Sequence, residues 1–404
     1  MSDFSREPSG PRATILGKIV VFLFIAGCAY GAWSLYQKSR AGKRAATPRS
    51  SEAQGASSAA DDGSSIQIGI AYGTEKRNWL EWAVREFART DAGRGIRVNL
   101  LPMGSLEGAQ ALVAGDERIH VWTPASSIYK DTFLQDWQLR HGGVEPIAKE
   151  ESLALTPMVF VVWAEREAAF RAKYGAMNFD SIALALGEPT GWESIAGHPD
   201  WGLFKFGHTT PNESNSGLVT LLLMAYDHHD KIRGLTAADV VQGPFQQKLS
   251  TIERAVTLSP STGTLMREMV LKGPSAFDAI FVYENVAIDY LKSAQGRWGE
   301  LRILYPKLNL WNDNPYYVVN APWSTDEHKR AAGAFLEFLM SEPVQRQALV
   351  HGFRPGNPSV PVVFAGSPFT QYRGYGLRNE IGQVCEPPKG EVITNLLASW
   401  QRSR

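Results

Sequence analysis

Short apolar runs, polar loops and amphipathic helical stretches follow one another from residue 66 onward. Ile66-Gln67-Ile68-Gly69-Ile70-Ala71 predicts a strand that breaks at Gly73-Thr74-Glu75. Trp79, Leu80, Ala83, Val84 and Phe87 then fall on one helical face. Gly95 to Leu101 predicts a second strand, Gly104-Ser105 opens a helix through Leu112, and Ile119 to Trp122 predicts a third strand. Repetition of strand, polar loop and helix predicts an α/β layer with a mostly parallel sheet. Leu153 to Trp163 reads as a long extended run that leaves the first lobe. Phe204 to His208, Asp278 to Val282, Leu301 to Tyr305 and Tyr316 to Val319 predict further strands. Helices are expected over Leu218–Tyr226, from Tyr283-Glu284-Asn285 through Tyr290, from about Asp326 to Met340, and from about Pro343 to Val350. No internal repeat of fixed period is visible.

The first 65 residues follow a different pattern. Ile19 to Tyr36 is eighteen residues without a charge, long enough as a helix to cross a hydrocarbon layer of about 30 Å. Tyr30, Trp33 and Tyr36 gather at its end, where interfacial aromatics belong. Residues 1–18 read as a short polar N-terminus, 19–36 as a transmembrane or signal anchor, and 37–65 as a flexible Ala/Ser/Gly linker. Ile25-Ala26-Gly27-Cys28 also resembles a lipoprotein cleavage box. Under either reading the body is tethered to a membrane. Lys38, Arg40, Lys43, Arg44 and Arg49 would hold the body in the cytoplasm by the positive-inside rule. The export-like N-terminus places it in the periplasm or outside, and both orientations stay open.

Composition narrows the class. The chain has 404 residues, 41 basic and 41 acidic side chains, 44% apolar residues and two cysteines. Such a chain is not disordered as a whole, is not a disulfide scaffold, and has one candidate span rather than many. Basic residues outnumber acidic ones in residues 1–65, so the body after them is slightly acidic, and no nucleic-acid partner is expected.

Candidate chemistry sits in the loops after the strands, because ligands of open α/β sheets bind beyond the carboxyl ends of the strands. Thr74, Ser105 and Ser126 each put a small hydroxyl at a helix start. Any one of them is explained by helix capping alone. Thr209-Thr210-Pro211-Asn212-Glu213-Ser214-Asn215-Ser216-Gly217 is the richest segment, a cluster of hydroxyls and amides before a helix. A helix start offers unpaired N–H donors and a partial positive charge, which suit an anion or a polar oxygen without Lys or Arg. His228-His229-Asp230 at a helix end, the lone Cys385, and Tyr316-Tyr317 in an apolar strand read as structural, and no metal or other cofactor is expected. Trp311 to Pro315 reads as a turn. No Walker loop, HExxH helix or GxSxG elbow is present.

Several of these segments, in order, resemble the bacterial extracellular solute-binding proteins of the type II periplasmic class, in particular the molybdate/sulfate-type branch. They are Ile66–Glu75, Gly104-Ser105 with Asp116 to Trp122, Gly207 to Gly217, Phe277 to Glu284, Ala332–Pro343, and Gly352-Phe353-Arg354-Pro355. The resemblance implies a two-lobed body over residues 66–404. Lobe one would be about 66–160 and 306–404, and lobe two about 161–305. It implies a non-catalytic protein that closes over a small polar or oxyanionic ligand for ABC-type uptake or sensing, with an ABC permease or other membrane complex as partner. The ligand-binding set carried onto this chain is Thr74, Ser105, Asn212, Ser214, Asn215, Ser216, Tyr283 and Glu284. Departures accompany the likeness. Glu75 and Lys76 follow Thr74, Trp122 and Trp163 are candidates to line the cleft, His120 stands where simpler members carry Asp, and Glu284 would repel an anion if it pointed inward. An envelope interaction module with a vestigial cleft is the alternative. A hydrolase using Glu75 or Glu284 as base has no supporting spacing.

Overall fold

A computed structural model describes residues 65–404. The expected anchor at 19–36, the Cys28 box and nearly all of the linker lie outside the described residues. Among the described residues no helix is long and apolar enough to cross a membrane.

Among the described residues fourteen strands occur in chain order: β1 (Ile66–Tyr72), β2 (Ile96–Pro102), β3 (Val121–Thr123), β4 (Ile147–Ser152), β5 (Ala154–Leu155), β6 (Met158–Trp163), β7 (Phe206–Thr209), β8 (Thr257–Ser259), β9 (Ala279–Tyr283), β10 (Leu301–Leu304), β11 (Leu308–Asn309), β12 (Pro315–Val319), β13 (Arg354–Pro355) and β14 (Gln383–Val384). Ten of them form two five-stranded sheets, ordered β2-β1-β3-β12-β4 and β10-β6-β9-β7-β8. β1 runs parallel to β2 from Ile66 opposite Ile96 to Tyr72 opposite Pro102, and parallel to β3. β7 runs parallel to β8 and β9. Each sheet contains one reversed strand, β12 in the first and β6 in the second. These two carry the chain between lobes. β6 follows the crossing out of the first lobe and β12 the crossing back, so each enters its sheet from the cleft side, opposite to its neighbours. All six residues of β6 are buried, as a central strand covered on both faces requires.

The expected run from Leu153 to Trp163 is divided between β5 and β6, with Thr156-Pro157 between them. Proline cannot donate to a ladder, and the chain bends there from one sheet toward the other. Trp311 to Pro315 is more than a surface turn. Thr156 bridges Asn312 across the crossing, and Asn309, Asn312 and Asn314 are fully buried. Their carboxamides stand in for missing ladder bonds. Asn309 accepts from Met158 N at 2.9 Å and donates to Met158 O at 2.8 Å, and Asn314 donates to Ala154 O at 3.2 Å.

The C-terminal part packs in two places. Helix Asp326–Met340 packs on β1 and β12 of the first sheet, and helix Glu342–Val350 packs on it and on β13. Helix Gly390–Ser403 instead packs on helices Asn215–His228, Ala237–Val241 and Gly243–Glu253 of the second lobe. Val392, Ile393, Leu396 and Trp400 give it one buried face, and Trp400 Nε1 donates to Glu253 Oε2 at 2.6 Å.

Candidate functional site

The parallel strands of both sheets end at the same place. β1 runs into Gly73-Thr74-Glu75, β2 into Met103-Gly104-Ser105, β3 into Pro124-Ala125, β8 into Pro260-Ser261, and β9 ends on Tyr283. Together with Glu107, Glu213, Ser214, Asn215 and Thr262, these turns enclose a cavity of about 320 Å³. It adjoins a second of about 450 Å³ that shares Thr74, Glu75 and Ser261 and continues past Arg77, Asn78, Arg267 and Asp289. The lobes meet around this space. Asn285 Nδ2 donates to Glu75 O at 3.3 Å, and Asn78 Nδ2 donates to Asp289 Oδ2 at 3.2 Å. A Cβ on Gly104 would lie 3.1 Å from the Glu213 carbonyl oxygen across the cleft.

Apart from Glu213, the second-lobe wall of this cavity is neutral. Ser216 is fully buried behind the surface, and its Oγ lies 2.6 Å from Thr209 Oγ1, 2.9 Å from Thr262 Oγ1 and 3.2 Å from Ser214 Oγ. These hydroxyls tie β7, the start of helix Asn215–His228 and the start of helix Thr262–Lys272 together. Gly217 is required there, because a Cβ would sit 2.2 Å from Thr209 O. Asn215 donates from Nδ2 to Tyr283 Oη at 2.8 Å and to Asn312 Oδ1 at 2.7 Å. Asn312 is itself oriented by its Nδ2, which donates to Thr156 O at 3.1 Å. The amide of Asn215 is thereby fixed, and its Oδ1 is left buried without a partner. Tyr283 accepts from Asn215, so its own proton is free to donate. Burial holds its pKa well above the ordinary phenol value, and it stays a neutral donor.

The first-lobe wall is built on charge. Lys76 is fully buried and donates to Glu75 Oε1 at 2.5 Å, Asn314 Oδ1 at 2.9 Å and Pro124 O at 3.2 Å. Burial depresses its pKa, while Glu75 and then Asp313 oppose the shift. All three ammonium protons are used, and Lys76 does not line the cavity. Ser105 Oγ accepts from Ala125 N at 3.0 Å, so its proton, too, is free. Glu107 Oε2 accepts from Gly104 N at 3.0 Å and so answers the positive start of its own helix.

The structure brings Thr74, Ser105, Ser214, Asn215 and Tyr283 together on the cavity wall. Ser216 supports that wall from behind. Asn212 is exposed and does not line the cavity. Glu284 does not line it either. It is fully buried and paired with Arg354, at 2.8 Å from both Nε and Nη2, and Tyr305 Oη also donates to it. Arg354 is the arginine of the Gly-Phe-Arg-Pro segment, and it fastens the start of helix Glu284–Ala294 to the C-terminal loops by donating from Nη2 to Arg378 O at 2.8 Å.

The tryptophans named as cleft candidates are core residues. Trp122 lies against Phe133 and Tyr317, and Trp163 Nε1 donates to Phe277 O at 2.9 Å. His120 also lies away from the cavity. Its Nδ1 accepts from Gly69 N at 3.1 Å, and burial and then the neighbouring His328 lower its pKa to about 4. Tyr316 donates to Ala332 O at 2.9 Å inside the first lobe. Among the described residues no group of His, Cys, Asp and Glu could hold a metal ion. Sequence reasoning missed Glu107, Glu213, Ser261 and Thr262 as lining residues. For Ser261 and Thr262 the signal available was the hydroxyl-rich Ser259-Pro260-Ser261-Thr262 stretch before a helix.

Two α/β lobes with a polar cavity at the carboxyl ends of their strands define a bilobal architecture with a candidate binding cleft. The chain belongs to a family of bacterial extracellular solute-binding proteins, whose model matches residues 68–354. That family binds solutes rather than transforming them, in line with the expected absence of catalysis. Among solved structures, the sulfate-binding protein SubI from Mycobacterium tuberculosis H37Rv is similar with TM-score 0.53 and 16% identity, covering 84% of this chain and 99% of its own. Iron-bound HitA from Pseudomonas aeruginosa gives 0.56 and 13%, covering 84% and 99%. A periplasmic thiamin binding protein gives 0.56 and 11%, covering 83% and 96%. At these identities the likeness is one of fold. No curated protein matches the chain.

Proposed function

We propose that this protein is an extracytoplasmic receptor that closes its two lobes over one small polar solute and presents it to a membrane partner such as an ABC permease. The observation that carries this reading is the shared cavity. Five strand ends from two sheets contribute neutral hydroxyl and amide groups to one space, with the lobes in contact around it. Thr74, Ser105, Ser214, Asn215 and Tyr283 are the proposed ligand contacts, and Ser216 positions them. Water leaves such a cleft on closure, and each hydrogen bond to the solute gains strength in the lower dielectric. The second cavity leaves room for a solute larger than a tetrahedral oxyanion.

The test is a thermal-shift screen of the full chain against oxyanions and small polar metabolites. At least one compound should raise the melting temperature, and Asn215→Ala and Tyr283→Phe should abolish the effect. A flat response across the panel contradicts the reading. We also propose that residues 19–36 tether the body to the cytoplasmic membrane with the body outside. Membrane fractionation of the chain with and without these residues, and protease access to spheroplasts, test the two halves of that statement. Loss of membrane association on deletion and cleavage from outside are expected. A protected body would reverse the orientation.

A further inference from the structure

We infer that the solute seated in this cleft carries a protonated nitrogen: it is a small organic ammonium compound rather than a bare oxyanion. The inference rests on the solute-binding reading above and names the chemistry of that same site. Three carboxylates, Glu75, Glu107 and Glu213, contribute to the wall of the first cavity and no Lys or Arg does, while Arg77 and Arg267 line the adjoining cavity together with Asp289. The nearest buried cation, Lys76, is saturated by Glu75, Asn314 and Pro124 and so neutralises Glu75 alone. Glu107 already answers the positive end of the helix it opens, and Glu213 stands two residues before the start of helix Asn215–His228. The starts of helices Ser105–Ala114 and Asn215–His228 are thus screened by the chain's own carboxylates, and the start of helix Thr262–Lys272 is capped by Ser261 Oγ, which accepts from Thr264 N at 3.3 Å.

An independent observation points the same way. Asn215 lines this cavity at 3% exposure, and its carboxamide oxygen is an acceptor with no donor. Its orientation is fixed by Asn312, so rotation of the amide cannot cure the deficit. A buried acceptor left unpaired is costly, and a ligand N–H would satisfy it. A fully deprotonated oxyanion such as sulfate or molybdate brings no donor and would add further negative charge beside two carboxylates that have no cationic partner among the described residues. The free protons of Ser105 and Tyr283 would then serve an oxygen elsewhere on the same solute.

A matched five-carbon series tests this on the full chain by thermal shift and calorimetry: 5-aminopentanoate, pentane-1,5-diamine, pentanoate, pentanedioate and pentane-1,5-diol, with sulfate and molybdate alongside. The ammonium-bearing members should bind best. Glu213→Gln, at an exposed position, should weaken them about ten-fold while leaving the melting temperature of the free protein unchanged. Stronger stabilisation by sulfate, molybdate, pentanedioate or the diol than by either amine overturns the inference and sustains solute binding. A protein that none of these compounds, nor any in the wider screen, stabilises overturns both.

Discussion

The two walls of the cleft solve one task by opposite means. The first-lobe wall is held by a buried ion pair, Lys76 with Glu75, whose ammonium also grips the crossing segment at Asn314. The second-lobe wall is held by a neutral chain of hydroxyls centred on Ser216 and by the Asn215 amide. A buried charge fails abruptly when its partner goes, whereas one hydroxyl in a chain of several leaves its neighbours other bonds. The first wall is therefore brittle and the second tolerant. The Lys76–Asn314 and Asn215–Asn312 bonds reach the same short crossing, so both walls bear on the segment about which the lobes would move.

The largest expected effect is at Lys76. Lys76→Met leaves the Glu75 carboxylate and two further acceptors unpaired, and should cost about 3–5 kcal/mol in denaturant unfolding. The Glu75→Gln, Lys76→Met double variant should recover most of that loss. If the single variant is as stable as the parent, the first wall does not depend on the pair.

Acidification is expected to weigh next, again through the first lobe. His120 titrates at about 4 in the folded protein against 6.5 as its ordinary value. The unfolded chain takes up the proton first, so this contribution is complete above pH 6.5 and is lost as the pH falls toward 4. The loss should be about 2 kcal/mol, and His120→Asn, which keeps an acceptor for Gly69 N, should flatten the decline. An unchanged slope in that variant would exclude His120 as the cause.

In the second wall the expected costs are smaller. Gly217→Ala forces a methyl to 2.2 Å from Thr209 O and 2.8 Å from Pro211, and should cost about 1–3 kcal/mol. Ser216→Ala removes one member of the hydroxyl chain and should cost about 1 kcal/mol. If Ser216→Ala proves as damaging as Lys76→Met, the contrast between the walls is wrong.

The same contrast governs what could be read from the chain. The second wall was legible because its chemistry is local. Thr209 to Gly217 shows as a dense polar run between a strand and a helix, and it supplies Ser214, Asn215 and Ser216. The first wall was legible only at Thr74 and Ser105. The ion pair's hold depends on Asn314, 238 residues from Lys76, and no local pattern announces such a contact. Glu284 misled for a related reason. It opens a helix at the right end of β9, yet Arg354, 70 residues on, draws it into the interior. The strands were read well where apolar runs were bounded by Gly, Pro or Ser. The short edge strands β4 and β8 and the helix Gly390–Ser403 were not noticed, since two are largely polar or very short and the third binds a lobe distant in sequence.

The central claim is that a small solute draws the lobes together around the strand ends. Spin labels at Arg89→Cys and Lys272→Cys, exposed positions on opposite lobes, report this directly by electron–electron distance. Cys28 is replaced by alanine, and the buried Cys385, its thiol pushed up to about 12 by burial, is left in place. With the compound that stabilises the chain most, the distance distribution should narrow toward the lobe separation described here, and Asn215→Ala should prevent the narrowing. A distribution that is the same with and without that compound would contradict the account.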